Sequence, residues 1–443
     1  MNLTIEPQIV NNHLVITSYE SARREASRCL GCREAPCQEA CPVNIPVPKV
    51  HRAITTGNLR YAAELVRTAS PMAHTCGACC PQETFCQSVC LRTSIDYPLD
   101  IRDLHRFATD WEWEHVPRKP INPAPGNFKV AIIGGGPAGI ACAVGLGRYG
   151  IHSDLYDSEP EAGGIPMWGI PIERVSQEIP RRDVAGLAGY PVSIYSQQGI
   201  TTLQNLCEQY QALFIATGVS SDGKMEISGQ DGTGVIGGLE FLRKAKKTQI
   251  GADPIGIREP VRIIGGGNVA VDCALVANSL GASRISVIYR RHRAELPAWT
   301  REVDSAFHRG VEFHFLLQPV AIEREGDRIS RLICRRMTLG LPGEDGRREP
   351  IPLPGETISL ETGMVIIATG QNSQTFQEDN LQRDERGIII VDEAGRTNLA
   401  KVYAGGDVTG KGGTVVEAVR SGLHIANWII KDLIDRGNNP FCH

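Results

Sequence analysis

The chain has 443 residues, of which 42% are hydrophobic and 22% charged, and its formal net charge is −4. The length predicts about three domains, and the slightly acidic balance argues against nucleic acid or an anionic membrane as the main partner. The first residues, MNLTIEPQIVNNHLV, lack a basic stretch followed by an apolar one, so we expect a cytoplasmic protein. The longest uncharged run, 130–147, is rich in glycine and predicts a strand, a turn and a helix rather than a membrane span.

The first quarter of the chain predicts a helical domain rich in cysteine. Residues 16–30 predict a short helix capped by Ser18, and further helices are predicted at 47–68 and 103–114. The segment KPINPAPGN (119–127) breaks helix and strand, so we end this domain at residue 120. Nine of the fourteen cysteines lie between Cys29 and Cys90. In a chain without an export signal, this favours metal or redox chemistry over disulphides.

These cysteines form two runs, and each run contains a cysteine followed by proline. In two-cluster ferredoxins, such a cysteine binds a different cluster from its neighbours. The pattern therefore predicts two ligand sets, which are Cys29, Cys32, Cys37 and Cys90 for one iron–sulphur cluster, and Cys41, Cys80 and Cys86 for the other. Structural zinc, which also uses Cys-x2-Cys pairs, is the alternative. The second set needs a fourth ligand, for which Cys76, Cys79 and His105 are the candidates.

After residue 127 the pattern changes to alternating strands and helices, and one design occurs twice. FKVAIIGGGPAGIACAVGLGRYG and PVRIIGGGNVAVDCALVANSLG each predict an apolar strand, a glycine turn and a helix, followed by a second strand. Such turns bring backbone amides and a helix N-terminus to the pyrophosphate of a dinucleotide. The repeat predicts two Rossmann-like domains. The predicted contacts of the first are Gly134, Gly136, Ala138, Gly139 and Asp157, and those of the second are Gly265, Gly267, Asn268, Ala270, Arg290 and Arg291.

The ends of the two second strands distinguish the two sites. Asp157 ends the first, where a carboxylate suits a ribose hydroxyl. Arg290, Arg291 and Arg293 end the second, where guanidinium groups suit the 2′-phosphate of NADPH. A solvated basic turn is the alternative explanation for these arginines. The choice between NADH and NADPH stays open.

The segment VYAGGD (402–407) and the helix after it resemble the C-terminal flavin motif of flavoproteins with two dinucleotide-binding domains. The resemblance implies that Gly406, Asp407 and Thr414 contribute to the FAD site and that FAD binds at the first glycine turn, leaving the second for the nicotinamide nucleotide. The predicted fold class is α/β, with an N-terminal α-helical iron–sulphur domain (1–120) and two Rossmann-like domains, the second inserted in the first. We predict an FAD-binding domain at 128–250 and 372–443, and an NAD(P)-binding domain at 251–371.

From Cys29 onwards, the chain resembles the glutamate synthase small-subunit family, which includes the N-terminal half of dihydropyrimidine dehydrogenase and its bacterial flavoprotein subunit. The resemblance rests on RCLGCREAPCQEACP (28–42), CPQETFCQSVC (80–90), GGIPMWGIP (163–171) and YRRHRAELP (289–297). It implies two [4Fe-4S] clusters and adds Gly164 to the FAD site. In those dehydrogenases a glutamine is the eighth ligand. His105 takes its place here, which departs from the family pattern and favours His105 as the eighth ligand.

The resemblance also implies the role of the protein. It predicts an enzyme that moves electrons between NAD(P)H and a partner subunit, through FAD and the two clusters, without a catalytic acid, base or nucleophile. The expected partner is the FMN-binding barrel of a dihydropyrimidine dehydrogenase, which this chain has no room to contain. The alternatives are the small subunit of glutamate synthase or of a ferredoxin–NADP transhydrogenase, and a zinc-stapled nucleotide-binding scaffold without turnover. The direction of electron flow and the oligomeric state stay open.

Overall fold

A computed structural model describes residues 9–10, 13–14, 16–117, 128–223, 225–249, 251, 253–343, 346–373, 376 and 380–437. The predicted linker 119–127 lies outside these residues. The chain forms two compact units, the second inserted in the first, as predicted. The first unit holds the described residues up to Met167, Glu173–Gly218 and those from position 374 onwards, and the second holds Trp168–Ile172 and Val219–Ser373.

Short helices build the cysteine-rich region. The Ser18 hydroxyl accepts a hydrogen bond from the backbone N–H of Ser21, as the predicted cap requires. The single helix predicted at 47–68 is wrong, because Gly57 has a φ of +80° and the Asn58 side chain starts a new helix by capping the N–H of Tyr61. The elements are β1 Ile9–Val10, β2 His13–Leu14, α1 Tyr19–Ser27, α2 Pro36–Glu39, α3 Val47–Thr55, α4 Leu59–Ala69, α5 Ala73–Cys79 and α6 Ile101–His115.

A parallel sheet of five strands forms the rest of the first unit, in the order β17-β6-β3-β4-β5. Its two central helices, α7 and α14, pack closely because glycine and alanine meet at their contact, as Gly145 and Ala426 do. The elements are β3 Lys129–Ile133, α7 Pro137–Gly147, β4 His152–Tyr156, α8 Gly164–Trp168, α9 Glu178–Ala185, β5 Val192–Tyr195, α10 Gln204–Gln209, β6 Ala212–Ile215, β17 Val402–Ala404 and α14 Val415–Gly437.

The second unit has its own parallel sheet, in the order β11-β10-β9-β15-β8, and an antiparallel sheet β12-β13-β14. Its main segment begins at Val219 rather than at the predicted boundary of 251, because β8 pairs with β15 and so belongs to this sheet. The elements are β7 Val219–Asp222, β8 Val235–Gly237, α11 Gly238–Gln249, β9 Val261–Ile264, α12 Asn268–Ser279, β10 Ile285–Tyr289, α13 Thr300–His308, β11 Glu312–Phe315, β12 Leu317–Glu325, β13 Arg328–Pro342, β14 Arg348–Glu361, β15 Met364–Ile367 and β16 Gln371–Ser373. Of the helices in the described ranges, none is long and apolar enough to cross a membrane.

Candidate functional site

Four of the predicted ligands surround one cavity in the cysteine-rich region. Cys29 follows α1, Cys37 lies in α2, and Cys32 and Cys90 complete the set. Burial, together with the neighbouring thiols of Cys90 and Cys29, raises the pKa of the Cys37 thiol to about 11. The structure therefore brings these four thiols together, although the first three are separated from Cys90 by more than fifty residues of sequence.

The other predicted cysteines also lie near one another. Burial raises the pKa of Cys86 to about 12, and the nearby thiol of Cys41 contributes to the shift. Burial likewise raises the pKa of Cys80, with further contributions from Cys76, Cys86 and Cys41. Because the interaction between these groups depends on proximity, Cys76 shares the surroundings of the three predicted ligands.

His105 lies on α6 and is buried. Its Nε2 has no hydrogen-bond partner among the described residues, and its ring centroid is 6.0 Å from that of His51. Burial lowers the pKa of His105 to about 4, so the imidazole is neutral at pH 7, as a metal ligand must be. Cys79 is occupied differently, since its Sγ donates to the carbonyl oxygen of Thr75 at 3.3 Å.

The donor set fits iron–sulphur clusters. The described cysteines are all free thiols, and four thiols around one cavity are the usual ligands of a [4Fe-4S] cluster. Within the described ranges, no three His, Cys, Asp or Glu side chains form a group that could hold a single metal ion.

The first glycine turn joins β3 to α7. Gly134 has a φ of +109°, and a Cβ there would overlap the carbonyl group of Ala216. A Cβ at Gly139 would overlap the carbonyl oxygen of Gly134, so the start of α7 packs directly on the turn. Gly136 caps α7 without a side chain, so the first amides of the helix, including that of Ala138, are available to bind an anion.

Asp157 and Gly164 complete this turn. The buried Asp157 carboxylate accepts hydrogen bonds from the N–H groups of Gly135 and Glu159, both at 2.8 Å. Gly164 has a φ of +61°, and a Cβ there would come within 2.7 Å of the Cα of Gly136. A side chain at this position would therefore fill the cradle in front of the turn.

The C-terminal motif lies against the same turn. A Cβ at Gly406 would be 3.0 Å from the Cβ of Ala138. Burial raises the pKa of Asp407, whose Oδ1 accepts a hydrogen bond from the N–H of Gly413 at 3.1 Å. The Thr414 hydroxyl caps α14, because it accepts from the N–H of Glu417. The structure thus brings Gly406 and Ala138 together, although 267 residues separate them in the sequence.

The second glycine turn joins β9 to α12. Gly265 has a φ of +144°, and a Cβ there would overlap the carbonyl group of Ala368 and lie 3.4 Å from the Cβ of Ala270. A Cβ at Gly267 would meet nothing within 4 Å, so the space before α12 is open to a ligand. The Asn268 side chain is already engaged, since its Oδ1 accepts from the N–H of Trp299 at 2.9 Å.

The arginines after β10 differ from one another. Arg290 is exposed and makes no hydrogen bond or ion pair to another described residue. Arg291 is buried, and its Nε donates to the carbonyl oxygen of Arg348 at 2.8 Å, so it supports the fold of the second unit. Arg293 pairs with Asp304 at 3.0 Å. Of the three, Arg290 alone presents an uncommitted guanidinium.

Sequence reasoning missed two residues that hold the first turn and its partner motif. A Cβ at Gly135 would press on the Asp157 carboxylate, which its N–H contacts. The hydroxyl of Ser421 accepts a hydrogen bond from the N–H of Gly406 at 2.9 Å. The glycine triplet marked Gly135, whereas no sequence signal pointed to Ser421 in the middle of a helix.

Two dinucleotide-type turns and a cavity lined by four thiols are the features of a flavin and iron–sulphur oxidoreductase. Residues 128–422 match the pyridine nucleotide-disulphide oxidoreductase family, and residues 8–116 match dihydropyrimidine dehydrogenase domain II, 4Fe-4S cluster. The chain therefore belongs to the pyridine nucleotide-disulphide oxidoreductase family, in the group that includes the glutamate synthase small chain. It binds FAD, a nicotinamide nucleotide and iron–sulphur clusters, as predicted.

Several characterised proteins are similar over most of the chain. The NADP(+)-dependent formate dehydrogenase subunit beta of Moorella thermoacetica is 34% identical over 88% of this chain and 59% of its own length. The NADPH-Fe(3+) oxidoreductase subunit beta of Geobacter sulfurreducens is 34% identical over 91% and 64%. The glutamate synthase [NADPH] small chain of Escherichia coli is 31% identical over 93% and 92%. The chain thus spans about three fifths of the first two relatives.

Solved structures agree on the fold. FprA of Mycobacterium tuberculosis in complex with NADPH has a TM-score of 0.61 and 19% identity, over 71% of this chain and 87% of that one. Thioredoxin reductase of Lactococcus lactis has a TM-score of 0.55 and 22% identity, over 70% and 100%. At these identities the likeness shows the α/β fold alone.

Proposed function

We propose that the chain is the electron-input subunit of a cytoplasmic complex, which takes electrons from NADPH and delivers them to a partner polypeptide. The observation that carries this proposal is that one compact unit holds both the first glycine turn and the cavity lined by four thiols. When bound, FAD supplies hydride chemistry and the clusters supply one-electron transfer. Free thiols throughout the described cysteines fit a reducing compartment.

The residues of the chain have binding roles in this proposal. The amides at the starts of α7 and α12 hold the two pyrophosphates, and Asp157 fixes the first turn through the N–H of Gly135. The exposed Arg290 binds the 2′-phosphate of NADPH. The names of the Moorella, Geobacter and Escherichia relatives, which all specify NADP(+) or NADPH, support this choice. Dye reduction with each nucleotide tests it, because equal kcat/KM for NADH and NADPH would contradict it.

A visible spectrum and metal analysis of the purified protein test the cofactors of this proposal together. We expect flavin absorbance and iron with acid-labile sulphide. Zinc without iron, or no flavin, would instead favour a nucleotide-binding scaffold.

We propose Cys29, Cys32, Cys37 and Cys90 as ligands of one [4Fe-4S] cluster, and Cys41, Cys80, Cys86 and His105 as ligands of the other. The buried Nε2 of His105, which has no partner among the described residues, supports His105 as the eighth ligand. The thiol of Cys76, which lies near Cys80, is the alternative.

Two variants, His105→Ala and Cys76→Ala, distinguish between these two candidates, with Cys79→Ala as the matched control. If His105 is a ligand, His105→Ala loses or shifts the signal of one cluster and up to about half the iron, while Cys76→Ala keeps both. The reverse result would assign the position to Cys76. Iron content and electron paramagnetic resonance provide the readout.

For the partner, we propose a polypeptide with an FMN-binding barrel that reduces a pyrimidine. The match of residues 8–116 to a dihydropyrimidine dehydrogenase domain supports this choice, as does the spacing Cys80-x5-Cys86-x3-Cys90. The exposed Leu30 and Leu91, which line the first cavity, offer an apolar contact surface next to it.

Glutamate synthase is the second candidate, because its small chain matches this chain over 92% of its own length. Purification of the native complex distinguishes the two. An FMN-containing partner with a barrel of about 250 residues supports the first candidate, and a much larger amidotransferase supports the second.

A further inference from the structure

The helix that carries Cys76 and Cys79 is capped by a residue far away in the sequence. At the N-cap position of α5, Met72 makes no side-chain hydrogen bond to the helix. Asp183, on α9, takes this role, since its carboxylate accepts from the N–H of His74 at 3.1 Å and from the N–H of Thr75 at 2.8 Å. The Thr75 hydroxyl donates a third hydrogen bond, at 2.6 Å. Aspartate is a preferred acceptor for the first amides of a helix, although it normally precedes them directly.

Asp183 is deeply buried, with 4% of its surface exposed. A carboxylate is costly to remove from water unless it receives several hydrogen bonds. Here the start of α5 donates three, from the N–H groups of His74 and Thr75 and from the Thr75 hydroxyl. Asp183 and α5 therefore depend on each other, because separating them would leave both a buried carboxylate and the helix amides without partners.

Two more contacts connect the neighbourhood of α5 with helices α7 and α14. The side chain of Met72 is fully buried in the hydrophobic core formed with α7 and α14. At the other end of α7, Arg148 donates from Nη2 to the carbonyl oxygen of Thr68 at 2.8 Å. Of these contacts, the one made by Asp183 is to the backbone amides of α5 themselves.

The orientation of α5 sets the direction in which the chain leaves the helix at Cys80, one of the three thiols of the second set. The helix carries Cys76, and the N–H of Cys80 donates to the carbonyl oxygen of Cys76 at 2.9 Å, so Cys80 leaves the helix in a fixed direction. A shift of the first turn would be transmitted to both thiols within about 10 Å, which is the length of a seven-residue helix.

We propose that Asp183 is a positioning residue that holds α5, and with it Cys80 of the second thiol set, against the flavin-binding sheet. This role rests on the proposed electron transfer, in which the separation of flavin and cluster governs how fast electrons pass between them. Asp183 itself does not need to touch either cofactor.

Hydrogen exchange of the holoenzyme tests this proposal in Asp183→Asn. The asparagine oxygen can replace only one of the two carboxylate oxygens, so its NH2 group would face the backbone N–H of His74 or Thr75. We expect exchange of the amides at 73–80 to rise about tenfold, the effect of losing a helix cap. We also expect the clusters to be reduced more slowly after mixing with NADPH, while flavin reduction keeps its rate. The matched control is Glu178→Gln, which removes an exposed carboxylate from the same helix, α9.

The outcomes separate the two proposals. Equal exchange at 73–80 in Asp183→Asn and Glu178→Gln would overturn the positioning role. If exchange rises but NADPH does not reduce the wild-type flavin, the electron-transfer proposal fails and the capping role stands. If Asp183→Asn does not fold, Thr75→Val decides, because it removes only the hydroxyl hydrogen bond. We then expect a smaller rise confined to 73–80, and unchanged exchange there would refute the role.

Discussion

The two glycine turns share one backbone plan, and their first glycines show why. Gly134 and Gly265 both have positive φ, and a Cβ at either would overlap the carbonyl group of an alanine at the end of a neighbouring strand, Ala216 or Ala368. Both turns therefore need glycine because the chain passes directly beside the next strand of the sheet. This feature creates a place for a pyrophosphate but does not specify which nucleotide binds.

The turns differ at their last position and at the end of the second strand. Gly139 cannot carry a Cβ without meeting the Gly134 oxygen, whereas Ala270 occupies the equivalent position of the second turn. The buried Asp157 follows β4, and the exposed Arg290 follows β10. The two turns thus share a backbone conformation and differ in the residue after the second strand, to which we assign the choice of nucleotide in our proposal.

Gly139→Ala should distort the first glycine turn, and we expect the largest effect of all, a loss of FAD affinity. The new methyl group would push α7 away from the turn, at a cost of about 3 kcal/mol typical of severe overpacking, so FAD affinity should fall roughly 100-fold. Titration of the apoprotein with FAD, followed by flavin fluorescence, measures this. The matched control is Ala270→Gly, which removes a methyl group and should leave FAD affinity unchanged. FAD binding of Gly139→Ala at wild-type affinity would contradict the proposed difference between the turns.

Arg290→Ala should change the preference of the second site between NADPH and NADH. Loss of a charge-assisted contact to a phosphate costs about 1.5–3 kcal/mol, so KM for NADPH should rise roughly 10- to 100-fold while KM for NADH changes little. Steady-state dye reduction measures both. Arg293→Ala is the control, because its guanidinium already pairs with Asp304. A parallel loss with both nucleotides would exclude recognition of the 2′-phosphate by Arg290.

Asp154→Asn should have a smaller effect, a loss of folding stability that depends on pH. Asp154 on β4 pairs with Ala131, three residues before the first glycine of its turn, and Ser286 occupies the corresponding position on β10. Burial opposes its ionisation, but hydrogen bonds from Lys129 and Tyr210 outweigh burial and lower the pKa of Asp154. A carboxyl whose pKa is lowered by folding stabilises the fold above its unfolded pKa, and this stabilisation disappears as pH falls through the folded value.

We therefore expect Asp154→Asn to lower the free energy of unfolding by about 1 kcal/mol at pH 7, and by progressively less below about pH 4. Urea unfolding at pH 7, 5 and 3.5 measures this. The graded control is Tyr210→Phe, which removes one hydrogen bond to Asp154 and should give a smaller change in the same direction. A difference that stays constant from pH 7 to 3.5 would show that the carboxylate charge has no part in it.

Much of the fold follows from local sequence patterns. The Ser18 cap, the helix around His105 and both strand–turn–helix units formed as predicted, because each is encoded by residues that are close together in the sequence. The cysteine-proline pattern likewise predicted which four thiols the structure brings around one cavity, since that pattern encodes a known exchange of ligands between runs.

The tertiary structure decided what depends on distant partners. β8 belongs to the second unit because it pairs with β15. Arg291, a candidate phosphate ligand in the sequence, instead donates a hydrogen bond to the carbonyl oxygen of Arg348. The cap of α5 by Asp183 crosses 108 residues of sequence. A sequence shows which groups need a hydrogen bond or a neighbour, but which distant residue supplies it is fixed only when the chain is packed.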